Sequence, residues 1–166
     1  QSKTVAVLAT PATFRGQLIK DVMQRFAIPA QVRVLNVTNL DLVPFVEQGA
    51  QMSEACLSSL QHSLQPVVDQ GADYLVLGCT HYPFLKPAIE SIFGHKLTLI
   101  DSGIAVARQT SRILIKNELL FDQSVADTLQ IACYVSGNNA EQLKPVLQHL
   151  IPGNISWSIA NVSTVD

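Results

Sequence analysis

The run Gly78-Cys79-Thr80-His81-Tyr82-Pro83 puts a thiol, a hydroxyl and an imidazole at successive positions, directly after an apolar stretch that begins at Asp73. A cysteine acts as base or nucleophile through its thiolate, and a free thiol titrates at about 8.5. An imidazole two residues away and a helix start, which Pro83 marks here, both favour the charged form. Gly78 lets another backbone or a ligand come close. Cys56 and Cys133 have no such neighbours and read as small buried apolar residues. Cys79 and His81 would offer two metal ligands on one side of an extended chain, but spacing identifies no third, so no metal site is expected.

Neither GxGxxG nor GxxxxGK[ST] occurs, so no cofactor is indicated. Lys86 is the lone lysine in these segments and is expected to point to solvent, which leaves no lysine for a pyridoxal cofactor.

Two more polar clusters follow apolar runs, Ala9-Thr10-Pro11-Ala12-Thr13 and Asp101-Ser102-Gly103. Such clusters gain meaning from the elements that carry them. Thr4 to Thr10 reads as a buried strand, and Leu18, Ile19, Val22 and Phe26 give helical spacing over Thr13 to Phe26. Gln31 to Val37 alternates as a strand, and Ser53 is placed to cap a helix through Cys56, Leu60 and Leu64 that stops at Gly71. Asp73 to Cys79 is a strand, a helix near Pro83 and Pro87 stops at Gly94, and Leu97 to Asp101 is a strand. A helix capped by Ser102 runs to about Leu120, followed by strand Thr128 to Val135, helix Ala140 to Leu150 and strand Ile155 to Ile159.

This alternation predicts an α/β protein, a parallel sheet with helices on both faces. Ligands of such sheets gather beyond the carboxyl ends of the strands, where all three clusters lie. Asn117 to Asp127 interrupts the pattern with polar residues and is the expected boundary. Taken alone, Asp101 and Ser102 read as structural caps of the following helix.

Composition narrows the function. The 166 residues are 48% apolar and only 14% charged, against roughly 25% charged in typical soluble domains, which excludes disorder. A net charge of −2 with no basic run gives no footprint for nucleic acid or an anionic membrane. No stretch approaches the roughly 20 apolar residues of a membrane helix. Three widely spaced cysteines without a CxxC fit reduced thiols in a cytoplasmic protein. The chain opens on Gln1, with neither an initiator Met nor a recognisable leader, so residues upstream are expected to be missing.

Leu77-Gly-Cys-Thr-His-Tyr-Pro-Phe-Leu85 closely resembles the second-cysteine motif of the glutamate racemase family, within the wider aspartate/glutamate racemase superfamily. The stretch from Val5 to Thr10 with Thr13, the run Leu42-Val-Pro-Phe-Val-Glu-Gln-Gly49, and Leu99-Ile-Asp-Ser-Gly103 resemble the family's other landmarks, in order. The resemblance is specific from about Thr4 to Arg112 and weaker beyond. It departs on the N-terminal side: the family's stretch with an Asp-Ser pair, its Pro-Tyr-Gly segment and its first catalytic cysteine, in Cys-Asn-Thr, have no counterpart here, and Cys56 sits in a different context.

The resemblance implies a racemase-type lobe over residues 1–113, with 114–166 completing a second lobe whose N-terminal half is absent. It also implies interconversion of L- and D-glutamate without a cofactor. Inversion at Cα needs a proton taken from one face and another delivered to the opposite face, so Cys79 would be half of a two-thiol pair. His81 would assist Cys79, and Glu47 would approach the substrate amine or His81. Thr80, Thr10 and Thr13 would contact the substrate carboxylate.

The whole protein would supply D-glutamate for peptidoglycan, while this chain alone is expected to be inactive and to self-associate, as a homo-oligomer or aggregate. Two alternatives stay open: an aspartate or broad-specificity racemase, and a non-catalytic module that binds acidic amino acids.

Overall fold

The computed structural model describes residues 3–120, 129–136, 140–151, 153 and 155–162. Its contacts divide the chain into two compact units, Gln1–Gln109 and Thr110–Asp166. The expected boundary at Asn117 to Asp127 falls, from residue 121 onward, outside the described residues.

The first unit is a four-stranded parallel sheet in the order β2-β1-β3-β4. The strands are β1 (Thr4–Leu8), β2 (Arg33–Val37), β3 (Tyr74–Leu77) and β4 (Thr98–Ile100). Ala6, Leu8, Leu75 and Leu77 are buried on β1 and β3. Three helices, α3 (Leu42–Glu47), α4 (Glu54–Asp69) and α5 (Lys86–Phe93), pack with one another in the order α3-α4-α5. The Ser53 side chain caps α4 by accepting from Cys56 N at 3.3 Å. Cys56, Leu60, Leu64 and Val67 then recur at helical spacing as the stripe that α4 buries.

The segment between β1 and β2 departs from the expected single helix. It forms α1 (Pro11–Arg15), α2 (Gln17–Val22) and a π-helical turn, Met23–Ala27. Gly16 is extended, at φ −65° and ψ 151°, and so ends one helix and opens the next. The wider π turn departs from the 3.6-residue spacing, and Leu18, Val22 and Phe26, three of the four residues that gave that spacing, are exposed. An open apolar cleft of about 310 Å³ remains between Val5, Val7 and Val76 and the side chains of Ile19, Met23 and Phe26.

Helix α6 (Gly103–Lys116) follows β4, and its apolar residues Ile104, Val106 and Ile113 are exposed. The second unit continues with β5 (Leu129–Ser136), α7 (Ala140–Leu150) and β6 (Ile155–Val162), and β5 pairs with β6 in parallel. Thr128, the expected first residue of β5, lies outside the described residues. Ile131, Cys133 and Val135 are half-buried, and so are Ile155, Trp157 and Ile159. Between them stand exposed Gln130, Ala132 and Tyr134 on β5 and Ser156, Ser158 and Ala160 on β6. Apart from Tyr134 that exposed set is small or polar, and many of the large exposed apolar side chains fall elsewhere, on α2, the π turn and α6 among other segments. Among the described residues, no helix is long and apolar enough to cross a membrane.

Candidate active site

Strand register brings the first two polar clusters together. Leu8 pairs with Leu77, and the ladder continues past both strand ends through Gly78 N to Leu8 O at 2.8 Å. A Cβ on Gly78 would stand 3.0 Å from the Cβ of Ala9, so glycine is what lets the two strand ends close up. The segments that follow begin at Thr10 and Cys79. Thr10 caps α1: its Oγ1 lies 3.4 Å from Thr13 N and 3.1 Å from Thr13 Oγ1. The paired threonine hydroxyls thus sit at the start of α1, just past the end of β1, the strand that pairs with β3, which leads into Cys79.

Cys79 itself is half-buried, with Sγ 4.0 Å from His81 Nδ1. The opposite ring nitrogen, His81 Nε2, lies 3.1 Å from Glu47 Oε1. An ionised carboxylate only accepts hydrogen bonds, so Nε2 carries a proton; in the neutral ring Nδ1 is then the acceptor facing the thiol. Thr80 Oγ1 lies 3.4 Å from the same Nδ1. Cys79, His81 and Glu47 thus line up in the order thiol, imidazole, carboxylate, an arrangement in which the imidazole could accept a proton from the thiol. The His81 and Glu47 side chains are 30% and 52% exposed, so their attraction is screened by solvent.

Two expectations are corrected. The Cys79 segment does not run straight into an α-helix, because a 3₁₀ turn, Tyr82–Leu85, comes first and α5 begins only at Lys86. No α-helix N-terminus therefore faces the thiol directly; Cys79 O instead accepts from Tyr82 N at 3.2 Å. Lys86 does not project freely into solvent but forms an ion pair with Asp101. Asp101 Oδ1 also accepts from Gly103 N at 2.6 Å, and Ser102 O accepts from Val106 N at 2.8 Å, which makes this cluster the start of α6. The Lys86 ammonium, then the Gly103 N–H, hold the Asp101 carboxyl below its usual range.

Sequence reasoning left Tyr82 and Asn39 without roles. Tyr82 is fully buried and its hydroxyl donates to Asn39 O at 2.9 Å. Burial, and then the nearby Cys79 charge, push the Tyr82 hydroxyl up to about 12. Burial likewise pushes the Cys56 thiol up. Among the described residues, no three His, Cys, Asp or Glu side chains gather as metal donors.

A family model for Asp/Glu/Hydantoin racemase matches residues 1–110, the part that carries this site. The chain belongs to that racemase family. It is 42% identical over 153 residues to the glutamate racemase of Deinococcus radiodurans, covering 92% of this chain and 52% of that protein. Its fold matches that of the Francisella tularensis glutamate racemase solved in complex with D-glutamate, with a TM-score of 0.76 at 23% identity over 97% of this chain and 58% of that one. The Escherichia coli glutamate racemase, solved with L-glutamate and the activator UDP-MurNAc-ala, gives a TM-score of 0.72 at 26% identity over 99% of this chain and 59% of the other. The chain spans about half the length of the curated relatives it matches. The family assignment and the parallel α/β fold agree with the resemblance read from the Cys79 motif.

Proposed function

We propose that this chain carries one half of a cofactor-independent glutamate racemase site, with Cys79 as the thiol that exchanges a proton with Cα. The supporting observation is the thiol–imidazole–carboxylate relay, with Sγ to Nδ1 at 4.0 Å and Nε2 to Oε1 at 3.1 Å. His81 accepts the Cys79 proton, Glu47 holds the ring in the tautomer that can do so, and the thiolate then takes the poorly acidic Cα proton. Thr80, Thr10 and Thr13 offer hydroxyls to the substrate carboxylate. Delivery of a proton to the opposite face needs a second thiol, which the family resemblance assigns to a Cys-Asn-Thr segment that these 166 residues do not contain.

The reading extends to inactivity of the chain by itself and to provision of D-glutamate for peptidoglycan in the cytoplasm by the whole protein. It also includes self-association of the isolated chain through exposed apolar side chains such as Leu18, Phe26 and Ile104.

Protection of Cys79 from iodoacetamide tests the half-site. L- or D-glutamate is expected to slow its alkylation, and aspartate to slow it less, while circular dichroism of either glutamate enantiomer shows no racemisation by the chain alone. Equal protection by aspartate would favour a broad-specificity site. No protection by any acidic amino acid would contradict the half-site, and turnover at ordinary enzymatic rates would contradict the need for a second thiol.

A further inference from the structure

Glu47 reaches His81 from the last position of a short helix. Helix α3 spans only Leu42–Glu47, too short to be stable alone, and its N-cap residue Asp41 makes no side-chain capping bond. Leu42 and Val46 anchor it by burial, but apolar contacts are non-directional and do not fix the last residue to within a hydrogen bond. Directional contacts converge instead on Asn39, ahead of the helix. Its Nδ2 donates to Ser59 Oγ at 2.9 Å and to Ser63 Oγ at 2.8 Å, both on α4. Its Oδ1 accepts from Asp41 N at 3.1 Å, and its backbone carbonyl accepts from Tyr82, the neighbour of His81. One residue thereby ties the approach to α3, the frame of α4 and the His81 turn together.

We propose that Asn39 is a positioning residue for the proton relay: through Ser59, Ser63 and Tyr82 it sets α3 against the His81 turn and keeps Glu47 on the imidazole. The proposal rests on the reading of Cys79, His81 and Glu47 as that relay. The donor amide is what matters. Ser63 already gives its single hydroxyl proton to Ser59 O at 2.8 Å, so its Oγ can only accept from residue 39. Asn39→Asp keeps the size and the Asp41 acceptor but presents oxygen to oxygen at Ser63.

The experiment is the pH–rate profile of Cys79 alkylation in the full chain, with Cys56 alkylation followed in the same samples as a measure of folding. Glu47→Gln is expected to slow Cys79 by about threefold, the scale of an exposed ion pair. Asn39→Asp should move the profile onto that of Glu47→Gln, and the two substitutions combined should add nothing further. Ser59→Ala with Ser63→Ala, which introduces no charge, should do the same and serves if Asn39→Asp does not fold. A wild-type Cys79 profile in a folded Asn39→Asp or double-serine variant, alongside a shifted one in Glu47→Gln, overturns the positioning role alone. A rise in Cys56 alkylation that tracks the Cys79 change overturns it in favour of general loosening. An unchanged profile in Glu47→Gln overturns the relay itself, and the positioning role with it.

Discussion

The two units use the same parallel strand-helix-strand arrangement and bury very different amounts. In the first, four strands and the α3-α4-α5 group fully bury Leu8, Leu60, Leu64, Leu75 and Ile89. In the second, two strands, α7 and the end of α6 leave Ala140 as the sole buried apolar residue among those described. A two-stranded sheet has one narrow face to offer its helix and is marginal by itself. The proposed Cys79 relay hangs from the well-packed unit: Glu47 ends a helix anchored by buried Val46, and His81 precedes buried Tyr82. Exposed polar chemistry is held in place by what lies one residue behind it.

The largest effect that would break this contrast comes from the core. Leu64→Ala should destabilise the first unit by about 3 kcal/mol, because it leaves a cavity in a fully buried stripe. Ile131→Ala on half-buried β5 should cost about 1 kcal/mol. Amide hydrogen exchange resolves the two units, and equal losses would erase the difference between them.

Next in size is the alkaline limit set by Tyr82. Its folded value lies above the unfolded one, so its contribution is fully present below pH 10 and is lost as pH rises toward about 12. The chain should lose about 2 to 3 kcal/mol over that window, and Tyr82→Phe should flatten the loss while giving up the bond to Asn39 O. Urea midpoints measured from pH 9 to 12 check this; parallel curves for the two proteins would contradict it.

The smallest effect belongs to Asp101, whose carboxyl is held below its usual range by Lys86 and Gly103 N. Its contribution is present above the unfolded carboxylate range and is lost as pH falls through the lowered folded value. Asp101→Asn should therefore be the less stable protein at pH 7 and converge with the wild type as pH falls through that lowered value. A constant difference across that range would place the effect elsewhere.

What was legible in the sequence was local. Strand-helix alternation gave the parallel sheet, and Gly78 to Pro83 gave the thiol, the hydroxyl and the imidazole at one strand end. The missing parts join residues far apart in the chain. Glu47 meets His81 across 34 positions and Asn39 meets Tyr82 across 43, separations over which periodicity carries no signal. The α3 helix escaped notice because six residues that include Pro44 show less than two turns of pattern. Lys86 was expected in solvent because its partner Asp101 lies on a separate segment, just past the end of β4. The family resemblance, not spacing, singled out Glu47.

The central claim is that Cys79 is the reactive thiol and that His81 makes it so. The direct measurement is iodoacetamide labelling of the folded chain, with each of the three cysteines quantified by mass spectrometry, in wild type and in His81→Ala. Cys79 should label first and Cys56 last, since Cys56 is fully buried and its thiol is pushed up by that burial. His81→Ala should slow Cys79 several-fold and leave Cys56 and Cys133 unchanged. Labelling of Cys56 as fast as Cys79, or a Cys79 rate indifferent to the loss of His81, would contradict the assignment.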